Sequence, residues 1–526
     1  MTHPGLVQAM MSPGFYPHRP ESVRLVQTHI SYIFIAGPRV YKVKKAVDFG
    51  FLDFTTLDKR KHYCGEELRL NRRLAPEIYL DVVEVSVDST GIIVLGKGVE
   101  TVDYAVVMSA LPEERMLKSL IAEKSFDPSI LERVAVKLAE FHRKADTGGK
   151  IDENGCIDTV RRNQEENFEQ TAKYIDLVIP RFQYEFIRDH IFDFMSRHKD
   201  LFLRRVEEHR IRDCHGDLHL EHICLENGIV IFDCIEFNER FRYGDVTTDV
   251  AFLTMDLDFN HYSDYGRTFV DAYVRHAGDR EMKILLPFYK CYYAYVRGKV
   301  TAFRSEDQAL SHEDRDEAAK TASKYFDLAF KYAARIERPT LLIIGGLMGT
   351  GKSVLARNLA QLTGAEVIRT DVLRKEMLSL QPTERRHEPF RKGIYAEEIT
   401  AMTYDRAIKL AEEKLQEGGS VIIDASFSSK EHRMMAVEAA ERIGVDYFVL
   451  ECVCPDDVIR NRLDRRMFDT DEASDGRWEI YESQKRRFDP ITEVSETRHI
   501  VIDTSACDQM ETAGKTLRRL KIGPHL

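Results

Sequence analysis

The stretch CHGDLHLEHIC, residues 214 to 224, holds two cysteines, three histidines, an aspartate and a glutamate. Side chains of these types bind transition metals or carry out acid–base chemistry. A zinc knuckle needs ligands paired as C-x₂-C, and a zinc deaminase needs H-x-E followed by P-C-x-x-C. His219-Leu220-Glu221 provides an H-x-E, but the sequence contains no P-C-x-x-C. The pattern therefore argues against a zinc site.

The same stretch fits the catalytic loop of kinases, H-R-D-x-x-x-x-N, which precedes a metal-binding aspartate. HGD occupies residues 215 to 217, His222 stands where the asparagine belongs, and the apolar run GIVIFD ends in Asp233. We predict that Asp217 accepts the proton of an acceptor hydroxyl and that Asp233 bridges Mg²⁺ to the phosphates of ATP. Because imidazole suits Mn²⁺ better than Mg²⁺, a metal-binding His222 predicts Mn²⁺ as an alternative ion. In one alternative interpretation Asp217 and Asp233 only cap turns. In another, His222 points away and orders the loop through a hydrogen bond, and Asp233 holds the metal alone.

A second phosphate-binding pattern is GLMGTGKS, which fits G-x-x-x-x-G-K-[ST] between an apolar run and an amphipathic run. Backbone N–H groups of such a loop surround phosphates, the lysine reaches the outer phosphates, and the serine holds Mg²⁺. The residues predicted to bind nucleotide here are Gly346, Gly349, Thr350, Gly351, Lys352 and Ser353. Asp424, at the end of the strand-like run VIID, is a predicted metal ligand.

The chain lacks the marks of two other P-loop classes. The nearest string to the base-reading N-K-x-D of a GTPase is NRLD, residues 461 to 464, which lies inside a helical run. A motor ATPase places a glutamate after its strand-end aspartate, whereas Ala425 follows Asp424. The pattern favours transfer to a substrate over hydrolysis.

RTDVLRKEM contains the predicted acceptor-binding residue of this second module. Asp371 and Arg374 lie three apart on one face of a starting helix, directly after a strand-like run, where α/β sheets bind substrates. An N-cap with its ion pair is the alternative. Further on, a helical run holds four arginines that either close over phosphates or form a solvated face. They are Arg460, Arg462, Arg465 and Arg466.

The elements that must position these residues change along the chain. Residues 31 to 50 predict a β-hairpin with a turn at Gly37-Pro38-Arg39, followed by a helix over 57 to 74 and three further strands. From about Pro128 the pattern becomes helical, except around 211 to 235. A helix over 314 to 336 ends before Pro339, after which strands and helices alternate as in a parallel α/β sheet.

Length and charge limit the classes of protein. A chain of 526 residues predicts two or three domains, and a net charge of −11 argues against binding to nucleic acids or acidic membranes. The chain has no signal-peptide pattern and no apolar run near the roughly 20 residues of a spanning helix, which predicts a cytoplasmic protein. Its nine cysteines are expected to be reduced thiols.

Residues 30 to 300 resemble the aminoglycoside phosphotransferases, whose catalytic loop has the form H-G-D-x-x-x-x-N; His222 departs from it and leaves the second metal position in doubt. VYKVKK resembles the lysine strand of that family. The resemblance implies Lys44 as the phosphate lysine, with Lys42 as the alternative, and Glu67 as its helix partner, with Glu66 as the alternative.

Residues 341 to 526 resemble the small P-loop kinases grouped with polynucleotide kinase, zeta toxins and gluconate kinase, through GLMGTGKS, TDVLRKEM, IIDASF and RLDRR. This resemblance implies that Asp371 contacts the acceptor and that Arg465 or Arg466 belongs to a lid. The order of the two modules is similar to that of bacterial bifunctional kinases.

Together these features predict an α+β, protein-kinase-like bilobal domain followed by an α/β P-loop domain with a parallel sheet. The expected boundaries are 1–110 for the N-lobe, 111–337 for the helical C-lobe and 338–526 for the P-loop domain. The expected function is two ATP- and Mg²⁺-dependent phosphotransferase modules that act on hydroxyl groups of small molecules. The alternatives are a regulatory protein in which one module binds nucleotide without turnover, and a nucleic-acid 5′-hydroxyl kinase.

Overall fold

The computed structural model describes residues 5–123, 126–308, 310–336, 338–381, 384, 392–466 and 478–522. The chain divides into two compact units, Met1–Tyr174 with Asp189–Ala329, and Ile175–Arg188 with Phe330–Leu526. The second unit therefore includes a short segment from the middle of the region that the sequence assigned to the helical lobe.

The first unit begins with an antiparallel sheet that carries one long helix, as the sequence predicts. Its elements are α1 (Leu6–Met10), β1 (Val23–Gln27), β2 (Ser31–Ala36), β3 (Arg39–Lys44), α2 (Leu57–Asn71), β4 (Tyr79–Val87), β5 (Ile93–Leu95) and β6 (Glu100–Ser109). The strand order is β1-β2-β3-β6-β4-β5. Because side chains alternate along a strand, Lys42 and Lys44 of β3 lie on the same face of the sheet, opposite the face where Val43 joins an apolar core.

A mainly helical region completes the first unit. Its elements are α3 (Leu117–Ala122), α4 (Ser129–Lys144), α5 (Ile157–Thr171), α6 (Arg181–Arg197), α7 (Lys199–Glu207), β7 (Ile211–Asp213), β8 (Ile223–Cys224), β9 (Val230–Ile231), α8 (Glu239–Arg242), β10 (Tyr243–Asp245), α9 (Thr247–Phe259), α10 (Ser263–Ala277), α11 (Met282–Arg304) and α12 (His312–Ala334). α6 and α12 continue into the second unit. The short strand pairs β7–β10 and β8–β9 flank the loop that holds Asp217. α9 lies almost entirely within the core, which lets its polar side chains reach the backbone of this loop.

The second unit contains a five-stranded parallel sheet covered by helices. Its further elements are β11 (Thr340–Gly345), α13 (Lys352–Thr363), β12 (Glu366–Arg369), α14 (Thr370–Met377), α15 (Glu397–Gln416), β13 (Val421–Asp424), α16 (Lys430–Ile443), β14 (Asp446–Val453), α17 (Asp456–Arg466), α18 (Trp478–Lys485), β15 (His499–Asp503) and α19 (Gln509–Ile522). The order β12-β13-β11-β14-β15 places the buried strand β11 at the centre. The chain segments after β11, β13 and β12 therefore meet at one edge of the sheet, where such folds bind ligands.

All nine cysteines are free. In the part of the chain that the structure describes, no helix combines the length and apolar character needed to cross a membrane.

Candidate active sites

The lysine strand forms a buried network of ion pairs with helix α2. Lys42 Nζ lies 2.6 Å from Asp233 Oδ1 and 2.9 Å from Glu67 Oε1. Lys44 Nζ lies 2.7 Å from Glu67 Oε2 and also contacts the carboxylate of Glu236. Glu67 thus holds both lysines, but only Lys42 reaches Asp233.

The sequence left open the choice between Glu66 and Glu67 and between Lys42 and Lys44, and the structure distinguishes the members of each pair by their surroundings. Glu66 lies on the outer side of α2 and pairs with Arg69 at 2.7 Å, so Glu67 is the glutamate that faces the lysines. The Lys44 side chain has no exposed surface, whereas that of Lys42 retains 10%. This geometry favours Lys42 over Lys44 as the lysine that a phosphate could reach.

Burial and the neighbouring lysines act in opposite directions on the pKa values of the two buried glutamates, Glu67 and Glu236. Burial disfavours a charged Glu67, but Lys42 and Lys44 lower its pKa below the usual value. Burial raises the pKa of Glu236, and Lys44 opposes this rise only in part. The network therefore keeps Glu67 ionised, while Glu236 is the carboxylate that most readily takes up a proton.

The catalytic loop is fixed by two carboxylates of α9. Asp249 accepts hydrogen bonds from the N–H groups of His215 and Gly216, at 2.8 and 2.9 Å, and Asp256 accepts one from Leu220 at 2.9 Å. Gly216 has a φ of 85°, and a Cβ there would lie 2.7 Å from the carbonyl oxygen of Phe241. Only glycine fits such a site without strain. The glycine of H-G-D is thus required by the backbone conformation of the loop, independently of the chemistry of Asp217.

His222 stands between the two carboxylates that the sequence singled out. Its Nδ1 lies 2.8 Å from the carbonyl oxygen of Asp217 and 3.7 Å from Asp217 Oδ2, and its Nε2 lies 3.5 Å from Asp233 Oδ2. Since a carbonyl oxygen only accepts hydrogen bonds, Nδ1 carries the proton and Nε2 presents its lone pair toward Asp233. Burial lowers the pKa of His222, so its ring is held neutral.

Asp217 and Asp233 are both ionised. Burial opposes the charge of Asp217, but His219, with Nε2 3.7 Å from Asp217 Oδ2, holds the pKa of Asp217 well below its usual range. Burial likewise opposes the charge of Asp233, but Lys42 holds the pKa of Asp233 well below its usual range. Asp233 also has a φ of 62°, a conformation rarely adopted by non-glycine residues, and its N–H donates to the Tyr79 hydroxyl at 3.2 Å. Strained backbone of this kind concentrates at functional sites.

In the second unit, the P-loop joins β11 to α13 in the predicted place. Gly346 has a φ of 136°, and a Cβ there would lie 2.5 Å from the carbonyl oxygen of Cys452, so glycine is required. Lys352 Nζ donates to the carbonyl oxygen of Leu347 at 2.8 Å. At the end of β13, burial raises the pKa of Asp424, while Lys352 and a hydrogen bond from Ser353 oppose the rise. Asp424 thus lies beside the residues predicted to hold phosphate and metal.

Asp371 lies in the first turn of α14, at the same edge of the sheet. It is not the N-cap, which is Arg369, but it does pair with Arg374 at 3.2 Å, as the alternative interpretation expected. Its side chain remains 36% exposed, whereas the Arg374 guanidinium is buried over the ring of Tyr395 at 4.8 Å. One carboxylate oxygen is therefore left to face a ligand.

The four arginines of α17 have different environments. Arg462 donates to the carbonyl oxygen of Thr504 at 2.6 Å, and Arg460 lies over the ring of Trp478 at 5.5 Å. Arg465 is exposed. The side chain of Arg466 lies outside the described residues. Among the described contacts, none brings Arg465 to the P-loop.

Sequence reasoning missed several residues that hold the first site together. Asp249 and Asp256 were detectable as two acidic residues seven apart in the otherwise apolar run TTDVAFLTMDL, a spacing that keeps them on one face of a buried helix. Glu236 follows Asp233 by three residues, but its sequence contains no sign that it would reach Lys44. The contact between Glu236 and Lys44 depends on the path that the chain takes after β9.

Comparison with known proteins agrees with this architecture. The model of the phosphotransferase enzyme family matches residues 57–288, and the model of an AAA domain matches residues 341–491. Together with the two sites, these matches define a kinase with two kinase-like domains in one chain. They confirm the predicted fold class and the predicted resemblance to a phosphotransferase followed by a P-loop kinase.

An uncharacterized protein of Mycobacterium tuberculosis is 31% identical over 451 residues, which cover 85% of this chain and 87% of the relative. A counterpart from Mycobacterium bovis has the same identity and coverage. The chain belongs to the same family as these mycobacterial proteins.

Among solved structures, a choline/ethanolamine kinase family protein from Mesorhizobium loti is 12% identical and covers 62% of this chain and 98% of its own, with a TM-score of 0.36. A gluconokinase from Sinorhizobium meliloti is 16% identical and covers 35% and 95%, with a TM-score of 0.24.

Proposed function

We propose that the N-terminal domain, residues 1–110 and 111–337, transfers the γ-phosphoryl group of ATP to a hydroxyl group of a small molecule. The observation that carries this proposal is the position of His222 between the carboxylates of Asp217 and Asp233, of which Asp233 is paired with Lys42. Such an arrangement separates a phosphate-binding side, at Asp233 and Lys42, from a proton-accepting side at Asp217. The side chains of Asp217 and Asp233 are 33% and 38% exposed, so both remain accessible to ligands.

In the proposed reaction, the oxygen of the acceptor hydroxyl forms a bond to the γ-phosphorus, and the bond from that phosphorus to the bridging oxygen breaks to release ADP. Asp217 orients the hydroxyl and takes its proton. Because the pKa of Asp217 is depressed, the proton moves late, and catalysis depends mainly on position and charge. Lys42 neutralises phosphate oxygens while Glu67 fixes its ammonium group.

The residues around Asp233 also fit a divalent metal ion. The carboxylate of Asp233 and Nε2 of His222, 3.5 Å apart, would hold it. Asp217 and His219 could also contribute, because their ligand atoms and that of His222 lie within 4.8 Å of one another. When bound, the ion would neutralise charge on the phosphates. A site with one imidazole among its ligands favours Mn²⁺ over Mg²⁺ more than an all-oxygen site does, because Mg²⁺ binds nitrogen ligands poorly.

The His222→Asn variant tests this assignment. We expect roughly 10-fold weaker Mn²⁺ binding, a fall in the ratio of Mn²⁺- to Mg²⁺-supported activity, and retained activity with Mg²⁺, because a carbonyl oxygen replaces the imidazole nitrogen. Electron paramagnetic resonance measures Mn²⁺ binding directly, and both proteins carry Lys352→Ala to silence the second domain. Equal Mn²⁺ affinity in the two proteins would remove His222 from the metal site.

For the C-terminal domain, residues 338–526, we propose transfer to a second hydroxyl acceptor. Lys352, Ser353 and Asp424 hold nucleotide and Mg²⁺, and Asp371 contacts the acceptor. The partly exposed carboxylate of Asp371 at the sheet edge supports this role. Arg465 and Arg466 are the proposed lid residues.

The two domains are expected to bind nucleotide independently. Titration calorimetry with a non-hydrolysable ATP analogue should detect two sites in the unmodified protein and one in the Lys352→Ala variant, because the P-loop lysine contacts the outer phosphates. Asp371→Asn is the matched control and should keep both sites while losing transfer by the second domain. A single site in the unmodified protein contradicts independent binding, and full transfer by Asp371→Asn would reduce Asp371 to a partner of Arg374.

The acceptors are best sought without choosing candidates in advance. The protein is incubated with ATP and a cell metabolite extract, and mass spectrometry identifies compounds that gain one phosphoryl group. The Asp217→Asn and Lys352→Ala variants then assign each product to a domain. If neither domain modifies any compound beyond the level of the double variant, the proposed function is wrong, and ATP-dependent regulation or oligonucleotide binding becomes the next test.

A further inference from the structure

A cavity in the helical part of the N-terminal domain lies apart from the residues of the active site. Its volume is about 200 Å³, and its walls come mainly from α4, from the chain around β7 and from the end of α10. Since one buried water needs roughly 10–15 Å³ of accessible space, a cavity of this size can hold a small organic molecule. Neither Asp217 nor Asp233 lines it. The cavity is therefore a candidate for a second ligand site in this domain.

Positively charged side chains dominate the lining of this cavity. Among its described lining residues, three arginines stand against one carboxylate, that of Glu140; they are Arg143, Arg210 and Arg212. Arg212 donates to the carbonyl oxygens of Arg143 and Ala145, at 3.3 and 2.8 Å, which fix its guanidinium without neutralising the charge. Within the described part of the chain, no carboxylate oxygen lies within 4.0 Å of a side-chain nitrogen of Arg143 or Arg212. Two of the three guanidinium groups thus lack a direct counter-ion there.

The third arginine, Arg210, is paired only weakly. Its Nε is buried and has no hydrogen-bond partner among the residues that the structure describes. Nε lies 3.6 Å from a carboxylate oxygen of Glu208, and Nη1 lies 3.9 Å from one of Asp279. Asp279 is already bound by Arg205, which donates to both of its oxygens at 2.7 Å. Because a buried donor without an acceptor is unfavourable, Arg210 favours the binding of an anion.

The rest of the lining indicates which kind of anion fits. Guanidinium groups bind phosphate oxygens through pairs of parallel hydrogen bonds, and three of them suit the two charges of a phosphate monoester better than the single charge of a carboxylate. Beside the ring of Tyr273, four small apolar side chains also line the cavity; they are Val136, Ala139, Val246 and Ala277. This apolar wall suits the organic part of a ligand. The cavity therefore favours a phosphate monoester over inorganic phosphate.

The cavity also contacts the side chains that support the catalytic loop. His142 and Tyr273 are both lining residues, and the Tyr273 hydroxyl lies 2.6 Å from His142 Nδ1. His142 Nε2 lies 3.0 Å from Oδ2 of Asp249, the carboxylate that accepts hydrogen bonds from the N–H groups of His215 and Gly216. Two side chains, those of His142 and Asp249, thus connect the cavity to the backbone of the loop.

We infer that this cavity binds a small phosphate monoester, and that the bound ligand stabilises the catalytic loop through His142 and Asp249. The phosphate group lies among the three arginines, and the organic part contacts the apolar wall. The ligand is bound and not converted, so its phosphate group stays in place. Binding at this site does not depend on the acceptor of the domain or on the proposed phosphoryl transfer. A phosphorylated metabolite is the class of compound that the site would detect.

The first test measures binding with three model compounds that share a ring. Titration calorimetry uses the full-length Lys352→Ala protein with Mg²⁺ and a saturating, non-hydrolysable ATP analogue, so that nucleotide sites do not take up the probe. We expect phenyl phosphate to bind, benzoate to bind more weakly, and phenol not to bind at millimolar concentrations, because the charge of the probe decides its affinity. Absence of phenyl phosphate binding, or equal affinity for phenyl phosphate and either of the other two compounds, overturns the inference.

Variants of the arginines assign this binding to the cavity. Arg143→Met and Arg210→Met should each weaken phenyl phosphate binding roughly 10-fold, because each removes one charge-assisted interaction. Arg267→Met is the matched control, since Arg267 lies on α10 at an exposed position that does not line the cavity. It should leave the affinity unchanged. If both cavity variants bind phenyl phosphate as tightly as the control does, the probe binds elsewhere and the inference is overturned.

The second test measures the response of the catalytic loop by hydrogen–deuterium exchange. Phenyl phosphate should slow the exchange of the His215 and Gly216 amides several-fold, and more strongly than that of amides in the edge strand β1. Tyr273→Phe keeps the ring but removes the hydroxyl beside His142, so it should abolish most of this slowing while phenyl phosphate still binds. Exchange that is unchanged by bound phenyl phosphate in the protein with Tyr273 intact, or slowing that is fully retained in Tyr273→Phe, overturns the connection to the loop.

Discussion

Phosphoryl transfer by the N-terminal domain is expected to fall by about 10²- to 10⁴-fold in the Asp217→Asn variant, the usual contribution of a positioned acid–base group. Asparagine keeps the size of the side chain and its contact with His219, but it cannot take a proton or orient the hydroxyl by charge. ATP binding should persist, because Lys42 and Asp233 are unchanged. The rate is measured under single-turnover conditions with the C-terminal domain silenced by Lys352→Ala.

The reciprocal control is Asp371→Asn in a protein whose P-loop is intact. It should leave N-terminal transfer unaffected, since Asp371 belongs to the other domain. If Asp217→Asn retains the full rate of transfer, the hydroxyl is activated by another group and the role of Asp217 is refuted. A loss of ATP binding in the same variant would instead indicate a misfolded loop.

The largest effect on stability is expected at Lys44. Lys44→Met leaves Glu67 and Glu236 buried with half of their counter-charge removed, which costs about 3–5 kcal/mol when one partner of a buried ion pair is deleted. Lys42→Met should destabilise the domain less, since Asp233 is 38% exposed and can be hydrated, but it should abolish phosphoryl transfer. Hydrogen–deuterium exchange of α2 and β3 reports the free energy of local opening in each variant.

A double variant separates the effect of the lost charge of Lys44 from the effect of its lost packing. Glu236→Gln added to Lys44→Met removes the carboxylate that has lost its ion-pair partner, while Glu67 stays paired with Lys42, and it should recover part of the lost protection. The assignment of the two lysines fails if Lys42→Met keeps full activity while Lys44→Met, still folded, loses ATP binding. In that outcome Lys44 would be the phosphate lysine that the sequence first indicated.

The sequence predicted the order and type of the main elements because their signals are local. The hairpin around Gly37, the apolar run before GLMGTGKS and the strand that ends in Asp424 each combine hydrophobic period with turn residues. The P-loop pattern also determines its own backbone, since glycine is needed at φ values of 78° to 136° in the loop. Such features need no knowledge of distant contacts.

The parts that the sequence could not predict depend on which side chains meet in space. Lys42 and Lys44 share a face of β3 and contact the same glutamate, so strand periodicity alone cannot rank them. The choice depends on Asp233, which is 191 residues away from Lys42 along the chain. The support of the catalytic loop by Asp249 and Asp256 likewise arises only when α9 packs beside that loop.

The second compact unit is not continuous along the chain, and this affects how it is made. Phe182 and Phe186, from the early segment of the unit, pack against Phe330 with ring centroids 5.6 and 5.1 Å apart, and Gly514 of α19 lies against Phe182. During synthesis Phe182 and Phe186 leave the ribosome long before the P-loop does. They therefore remain without their packing partners Phe330 and Gly514 while the intervening residues are added. The last helix of the chain completes their burial. The C-terminal unit therefore reaches its final packing only after α19 has been synthesised, and a fragment that starts at its first sheet strand lacks part of its own core.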